Sequence, residues 1–162
     1  MKYITIKPFN KAYLTLLPVI LLAGKSVTMS NITQVVNTDK NLKTLKKGVH
    51  ASDLDQLLSS TGPFTFFAPS DLAFEKLEKG ILENLLEPQN RNKLAELLNN
   101  HIVEGKIIFT DLKDGDSLTT VNGRKLLIHV NNGKVSIGDT VIAANQTKIS
   151  NGVIHSMDTV LV

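Results

Sequence analysis

The stretch FTFFAPSDLAFEKL, residues 64–77, predicts a β-strand that is followed directly by an α-helix. The aromatic run Phe64 to Phe67 is typical of a strand, and Pro69 ends it. Ser70 or Asp71 can then cap the helix, a role that contributes about 1 kcal/mol. We interpret these two polar residues as helix caps and not as a site for a partner or a cation.

Upstream of this stretch, apolar residues recur at helical spacing. They predict two short helices joined near Gly48, the second beginning at Ser52. Downstream, leucines at similar spacing predict further helical segments divided by Pro88. The apolar positions are Leu42, Leu45, Val49, Leu54, Leu57, Leu58, Leu82, Leu85, Leu86, Leu94, Leu97 and Leu98.

The second half of the chain is divided by turn signals. Three Asn-Gly pairs and one Gly-Asp pair separate short segments rich in β-formers, a pattern that predicts antiparallel hairpins. The pairs are Asn122-Gly123, Asn132-Gly133, Gly138-Asp139 and Asn151-Gly152. Helices first and a strand meander afterwards indicate the α+β class, with helices packed against the sheet.

The final segment, NGVIHSMDTVLV at 151–162, contains a histidine, a serine and an aspartate within four positions. Side chains alternate along a strand, so His155 lies on the opposite face from Ser156 and Asp158. The three residues therefore cannot assemble a catalytic triad by themselves. We expect a buried, neutral His155 that donates one ring N–H to a backbone carbonyl.

No common catalytic or metal-binding motif occurs in the sequence. There is no His-x-x-x-His pair, no cysteine, no Gly-x-Ser-x-Gly elbow and no phosphate-binding loop. We expect His101 to join the end of a helix to a strand by hydrogen bonding. The sequence thus predicts no enzyme, no metal and no cofactor; hydrolysis would need His101 or His155 beside an acid in an open cleft.

The charge is uneven along the chain. Four lysines and no acid lie in the first 25 residues, whereas the remainder has 14 basic and 15 acidic residues. We therefore expect no nucleic-acid binding. Residues 1–25, a basic segment before a short apolar run, predict an export signal or an N-terminal anchor, which would be the chain's one attachment to a membrane. We assign 26–36 to a linker and 37–162 to one domain.

Two segments resemble the sequence boxes of fasciclin-like domains. Residues 64–77, the first box, resemble one signature, and residues 151–162, the second box, resemble the other. LLNNHIVEGKI at 97–107 is similar to the family's central segment. The resemblance implies a compact wedge of two β-sheets flanked by several helices. It also implies a secreted, periplasmic or surface-displayed protein that acts in adhesion.

The resemblance further implies residue roles. The structural residues of the two boxes would be Phe66, Phe67, Ala68, Pro69, Ala73, Phe74, Asn151, Gly152, Ile154, His155 and Asp158. Partner contacts would lie at His101, Ile102, Val103 and Glu104, and near Asp158. Asn100 stands where the family has a tyrosine before the histidine, so integrin binding is not expected.

Two functions follow from these observations. The first is a non-catalytic adhesion module that binds a protein or a matrix polysaccharide. The second is a carrier of a small apolar ligand, held between the helices and the sheet. Co-purification of lipid or pigment with the protein would favour the carrier.

Overall fold

The computed structural model describes residues 30–162. The predicted export signal or anchor at 1–25 lies outside these residues. None of the helices within 30–162 has the length and apolar character needed to cross a bilayer.

The helices of this part are α1 (Ile32–Thr38), α2 (Lys43–Ala51), α3 (Leu54–Ser59), α4 (Asp71–Glu75), α5 (Ile81–Leu85) and α6 (Arg91–Asn99), with 3-10 turns at Pro88–Asn90 and Phe109–Asp111. The strands are β1 (Phe64–Pro69), β2 (Ile102–Glu104), β3 (Ser117–Thr119), β4 (Lys125–Asn131), β5 (Lys134–Ile137), β6 (Thr140–Ile149) and β7 (Gly152–Met157).

Helix α1 falls largely within the segment that the sequence analysis assigns to a linker. A capping box starts it: the Asn31 side chain accepts from the Gln34 N–H at 2.9 Å, and the Gln34 side chain accepts from the Asn31 N–H at 3.0 Å. Ile32 and Val36 are buried in the core. The linker assignment is therefore wrong for residues 32–36, which belong to the packed domain.

Helix α2 continues through Gly48, so the predicted break at this glycine is wrong. Gly48 is buried, and a Cβ there would lie 3.4 Å from Leu98 Cδ1. Its missing side chain thus serves the close approach of α2 to α6. The chain breaks five residues later instead, where Asp53 adopts a left-handed conformation with φ of 55° and pairs with Arg91.

All four predicted turns join antiparallel strands. Asn122-Gly123 lies between β3 and β4, Asn132-Gly133 between β4 and β5, and Gly138-Asp139 between β5 and β6, while Asn151 ends the turn after β6 and Gly152 begins β7. In the turn between β4 and β5 both Asn132 and Gly133 have positive φ, as a two-residue hairpin of this kind requires. The predicted meander is confirmed.

The seven strands are hydrogen-bonded to one another in the order β2-β1-β7-β6-β5-β4-β3. Strand β1 pairs in parallel with β7 and antiparallel with β2, so the early strand lies beside the last one. A register shift between Ile142 and Gln146 interrupts the β6 ladder, and a bridge between Val103 and Thr120 brings the two outer strands together. The α+β class is confirmed, and its strands make a single seven-stranded sheet.

Two clusters of buried side chains fill the domain. The first packs the helices on one side of the central strands and includes Ile32, Leu45, Leu58, Phe66, Ala73, Leu94, Leu98 and Ile154. The second lies on the other side and includes Phe67, Val103, Leu126, Ile128, Ile142, Met157 and Leu161. Because neighbouring residues of β1 and β7 belong to different clusters, these strands have buried side chains on both faces.

The last strand is shorter than its sequence suggests. Strand β7 ends at Met157, and residues 158–162 continue without strand pairing. Val160 and Leu161 are nevertheless buried, in the first and second clusters respectively. The alternation predicted for the segment therefore persists past the last ladder hydrogen bond.

Candidate functional site

The two boxes meet along the pairing of β1 and β7. Phe66 lies opposite Ile154, and Phe67 lies opposite His155. The rings of Phe67 and His155 are stacked, with centroids 5.4 Å apart. Since neither ring is exposed to solvent, this contact lies in the interior of the domain.

His155 is held by the backbone. Its Nε2 lies 2.7 Å from the Ile107 carbonyl oxygen, an acceptor, so Nε2 carries the proton and donates. Its Nδ1 is buried without a hydrogen-bond partner among the described residues. Burial lowers the pKa of His155, partly offset by the bond to Ile107. The ring is therefore neutral and fixed as one tautomer.

His101 uses both ring nitrogens. Nδ1 donates to the Leu97 carbonyl oxygen at 2.8 Å, and Nε2 accepts from the Leu161 N–H at 2.9 Å. The imidazole thus joins the end of α6 to the C-terminal segment. The predicted link from the helix end is present, but its partner Leu161 lies beyond the last strand, so the expected bond to a strand is wrong. Burial lowers the pKa of His101 to about 4; the bond to Leu97 opposes this shift and the positive charge of Arg124 adds to it.

The predicted partner contact at 101–104 requires correction. His101, Ile102 and Val103 are buried, and only Glu104 is exposed. Ile102 packs in the first cluster, Val103 packs in the second, and His101 is hydrogen-bonded to the C-terminal segment, so these side chains have no surface to offer a partner.

Ser156 and Asp158 of the second box lie apart from the imidazole of His155. Asp158 is exposed, accepts from the Val141 N–H at 3.3 Å and pairs with Lys76 at 3.3 Å. Ser156 belongs to the face opposite His155, as alternation predicts. No acid is hydrogen-bonded to either buried imidazole among the described residues, because the ring partners are backbone groups.

Asn151 joins three distant segments. Its side-chain oxygen accepts from the Ile32 N–H at 3.0 Å, and its amide donates to the Leu58 and Ser60 carbonyl oxygens, each at 2.8 Å. These groups lie at the start of α1 and the end of α3, where helical backbone groups lack intrahelical partners. The buried Asn151 therefore fixes two helix ends to the turn before β7.

We expect Asn151→Ala to lower the free energy of unfolding by about 2–3 kcal/mol, because it leaves buried N–H and C=O groups without partners. Urea denaturation followed by circular dichroism measures the loss. The exposed Asn145 provides the control, since Asn145→Ala should stay within about 0.5 kcal/mol of the unmodified protein. Equal stability of the two variants would contradict this role.

Ser70 and Asp71 cap two different helices. Ser70 accepts from the Ala73 N–H at 3.3 Å and caps α4, as predicted. Asp71 accepts from the Thr44 N–H at 2.7 Å and from the Lys43 N–H at 3.3 Å, so it caps α2. The sequence analysis missed this second cap because the two segments are 27 residues apart and no local pattern connects them.

The clefts have partly charged linings. One of about 460 Å³ lies beside β4 and the C-terminal segment and is lined in part by Arg124, Lys125, His129 and Asp139. Between the first helices and the sheet, a cavity of about 110 Å³ is lined in part by Asp39, Asn145 and Ser156. A cavity of that size and polarity does not suit an apolar cargo, and packed side chains of the first cluster occupy the rest of this interface.

Residues 30–162 contain no cluster of three or more histidine, cysteine, aspartate or glutamate side chains that is arranged to hold a metal.

Comparisons with known proteins agree on one family. Residues 40–162 match the family model described as Fasciclin domain. The Synechocystis protein sll1483 is 38% identical over 130 residues, 80% of this chain and 72% of that protein. Transforming growth factor-beta-induced protein ig-h3 of Sus scrofa is 34% identical over 139 residues, 85% of this chain and 20% of that protein.

The fold is shared with solved structures of other proteins. One is the FAS1 domain pair from the insect cell adhesion molecule Fasciclin I, with a TM-score of 0.74 at 17% identity. The alignment covers 82% of this chain and 51% of that one.

Proposed function

Because this chain belongs to the fasciclin domain family, we propose that it is an exported, non-catalytic adhesion module that binds a protein or a matrix polysaccharide. Fasciclin domains are adhesion and interaction modules in related proteins, among them the insect cell adhesion molecule whose domain pair has this fold. The basic and apolar residues 1–25 support export. Binding would then occur outside the cytoplasm, on the exposed surface of the folded domain.

The proposal depends mainly on the burial of His101 and His155, whose rings are hydrogen-bonded within the domain. His101 and His155 are each fully buried, and each is hydrogen-bonded to the backbone. A histidine-based hydrolytic mechanism needs a ring that reaches both substrate and a positioned acid. The rings of His101 and His155 are accessible to no substrate and are bonded to no acid. We therefore assign both histidines a role in stabilising the fold.

Adhesion is tested with protein purified from its own host, so that any processing of the leader is complete. Beads carrying this protein should be retained on the host's own cells or extracellular material, and free protein should displace them. Heat-unfolded protein on the same beads is the control, because an adhesive surface requires the fold. Equal retention of folded and unfolded protein would contradict the proposal. So would turnover of model esters or glycosides that is lost in His101→Gln.

A further inference from the structure

Four exposed lysines form one positive region, which we call the lysine surface: Lys40, Lys43, Lys46 and Lys47. They lie just before α2 and along its outer side. No acidic residue occurs from Lys40 to Ser52, whereas acids and bases are nearly equal in number after residue 25. The lysine surface is therefore a local feature of a nearly neutral domain.

The helix that carries these lysines is firmly seated. Leu45, Gly48 and Val49 are buried on its inner side. Leu98 and Leu94 of α6 come within 3.4 and 3.7 Å of the position where a Gly48 side chain would begin. Because the helix is packed this closely, the backbone that carries Lys43, Lys46 and Lys47 is fixed relative to the core.

The lysine ammonium groups have few partners. Lys46 Nζ donates to the Asn37 carbonyl oxygen at 3.3 Å. The ion pairs found within residues 30–162 involve Lys76, Arg91 and His50, and none of the four lysines. Two acids beside this segment are hydrogen-bonded to backbone N–H groups: Asp71 caps α2, and Asp39 accepts from the Asn41 N–H at 2.8 Å. Glu75, Glu78 and Glu83 share a cleft with Thr44 but form no ion pair with the four lysines.

The arrangement does not serve helix stability. Lys43 is the first residue of α2, where the partial positive charge of the helix N-terminus disfavours a cation. Lys46 and Lys47 follow it at i+3 and i+4, where like charges repel by a few tenths of a kcal/mol per pair. These lysine charges weaken the helix slightly and form no ion pairs within the described residues. They therefore suit the binding of an anionic partner better than the stability of the fold.

We propose that the lysine surface binds a linear anionic polysaccharide, an inference that rests on the proposed adhesive function. Lys43 and Lys47 are four residues apart, a rise of about 6 Å along the helix, so the charges form a row and not a point. Lysine is a flexible point charge that suits the spaced carboxylates or sulfates of such a polymer, whereas planar bidentate recognition favours arginine.

The same surface fits other polyanions less well. A helix that lies on a membrane turns its apolar side to the lipid, but the apolar side of α2 faces the core. Single-stranded nucleic acids are bound through aromatic side chains interleaved with basic ones, and residues 40–51 contain no phenylalanine, tyrosine or tryptophan.

The test measures binding of host-purified protein to immobilised heparin as the sulfated probe, polygalacturonate as the carboxylated probe and dextran as the uncharged probe. We expect binding to at least one charged probe at about 50 mM salt, none to dextran, and a steep loss as salt is raised. The combined variant K40Q, K43Q, K46Q and K47Q should bind at least about tenfold more weakly.

A second variant controls for net charge. K93Q, K106Q, K113Q and K134Q also removes four exposed lysines, but none from the lysine surface. It should bind within about twofold of the unmodified protein, and circular dichroism should show both variants folded. Equal losses in the two variants, no binding to either charged probe, or binding only to vesicles containing phosphatidylserine would each overturn the proposal.

Retention of the same variants on the host's extracellular material separates this inference from the proposed function. Loss of retention in the K40Q, K43Q, K46Q and K47Q variant alone supports both. If that variant is retained as well as the unmodified protein, the lysine surface is not the adhesive one, although adhesion stands. If the unmodified protein is not retained but still binds a charged probe, the lysine surface stands and adhesion fails.

Discussion

Replacing Gly152 with alanine is expected to lower the free energy of unfolding by about 4 kcal/mol or more, the range reached when a substitution forces a backbone clash. A Cβ at this position would lie 1.8 Å from the Phe64 carbonyl oxygen and 2.8 Å from the Phe64 carbonyl carbon. Phe64 pairs with Gly152 where β1 and β7 begin their parallel ladder. The clash therefore separates the two boxes, because neither backbone can yield without losing ladder hydrogen bonds.

The matched control is Gly133→Ala. Gly133 also follows an asparagine in a hairpin turn and has a positive φ of 75°, but a Cβ there meets nothing within 4 Å. Its substitution should therefore cost only the backbone strain, about 1–2 kcal/mol. Urea denaturation of both variants, monitored by circular dichroism, gives the comparison. Losses of similar size would contradict the close approach of β1 and β7.

Acidification is expected to destabilise the protein through His101. Its pKa is about 4 in the folded state and 6.5 in an ordinary environment, so between these values the unfolded chain binds a proton that the folded one does not. The stability contribution is fully present above about pH 6.5 and is lost as the pH falls toward 4. The loss is about 2 kcal/mol by about pH 5 and about 3 kcal/mol in all.

The main physical cause is burial, which disfavours the charged imidazole and lowers the pKa of His101. Protonation would also remove a hydrogen bond. His101 Nε2 accepts from the Leu161 N–H, and a protonated Nε2 cannot accept. The lowered pKa of His155 acts in the same direction. Unfolding free energies of the unmodified protein and of His101→Gln, measured from about pH 7.5 to about pH 5, isolate this contribution. Parallel pH curves for the two proteins would rule it out.

The sequence predicts the central strands and the meander well because local signals suffice there. The aromatic run from Phe64 to Phe67 is typical of a strand, and asparagine-glycine pairs specify tight turns. Alternation along the second box also predicts that His155 and Ser156 lie on opposite faces of the strand. The imidazole's backbone acceptor, Ile107, lies 48 residues away and could not be identified from the chain alone.

The misses share a cause, which is contact between distant segments. Ile32 and Val36 look like part of a polar linker, yet Asn151, at the far end of the chain, holds the start of their helix. Gly48 looks like a helix breaker, but α6 needs the space that its missing side chain leaves. The lysine surface could have been found from the sequence, because four lysines occur in eight residues without an acid. The nearly balanced charge of the chain after residue 25 hid this local group.

The most direct test of the account is a long-range ¹H–¹⁵N correlation spectrum of the histidine rings, because the imidazole ties depend on the two boxes being packed together. We predict that His101 is neutral with its proton on Nδ1, and that His155 is neutral with its proton on Nε2. The His101 pattern should persist from about pH 8 to about pH 5.5, because the pKa of His101 is about 4. A ring that averages between tautomers at about pH 8, or a His101 ring that is protonated at about pH 6, would contradict these buried hydrogen bonds.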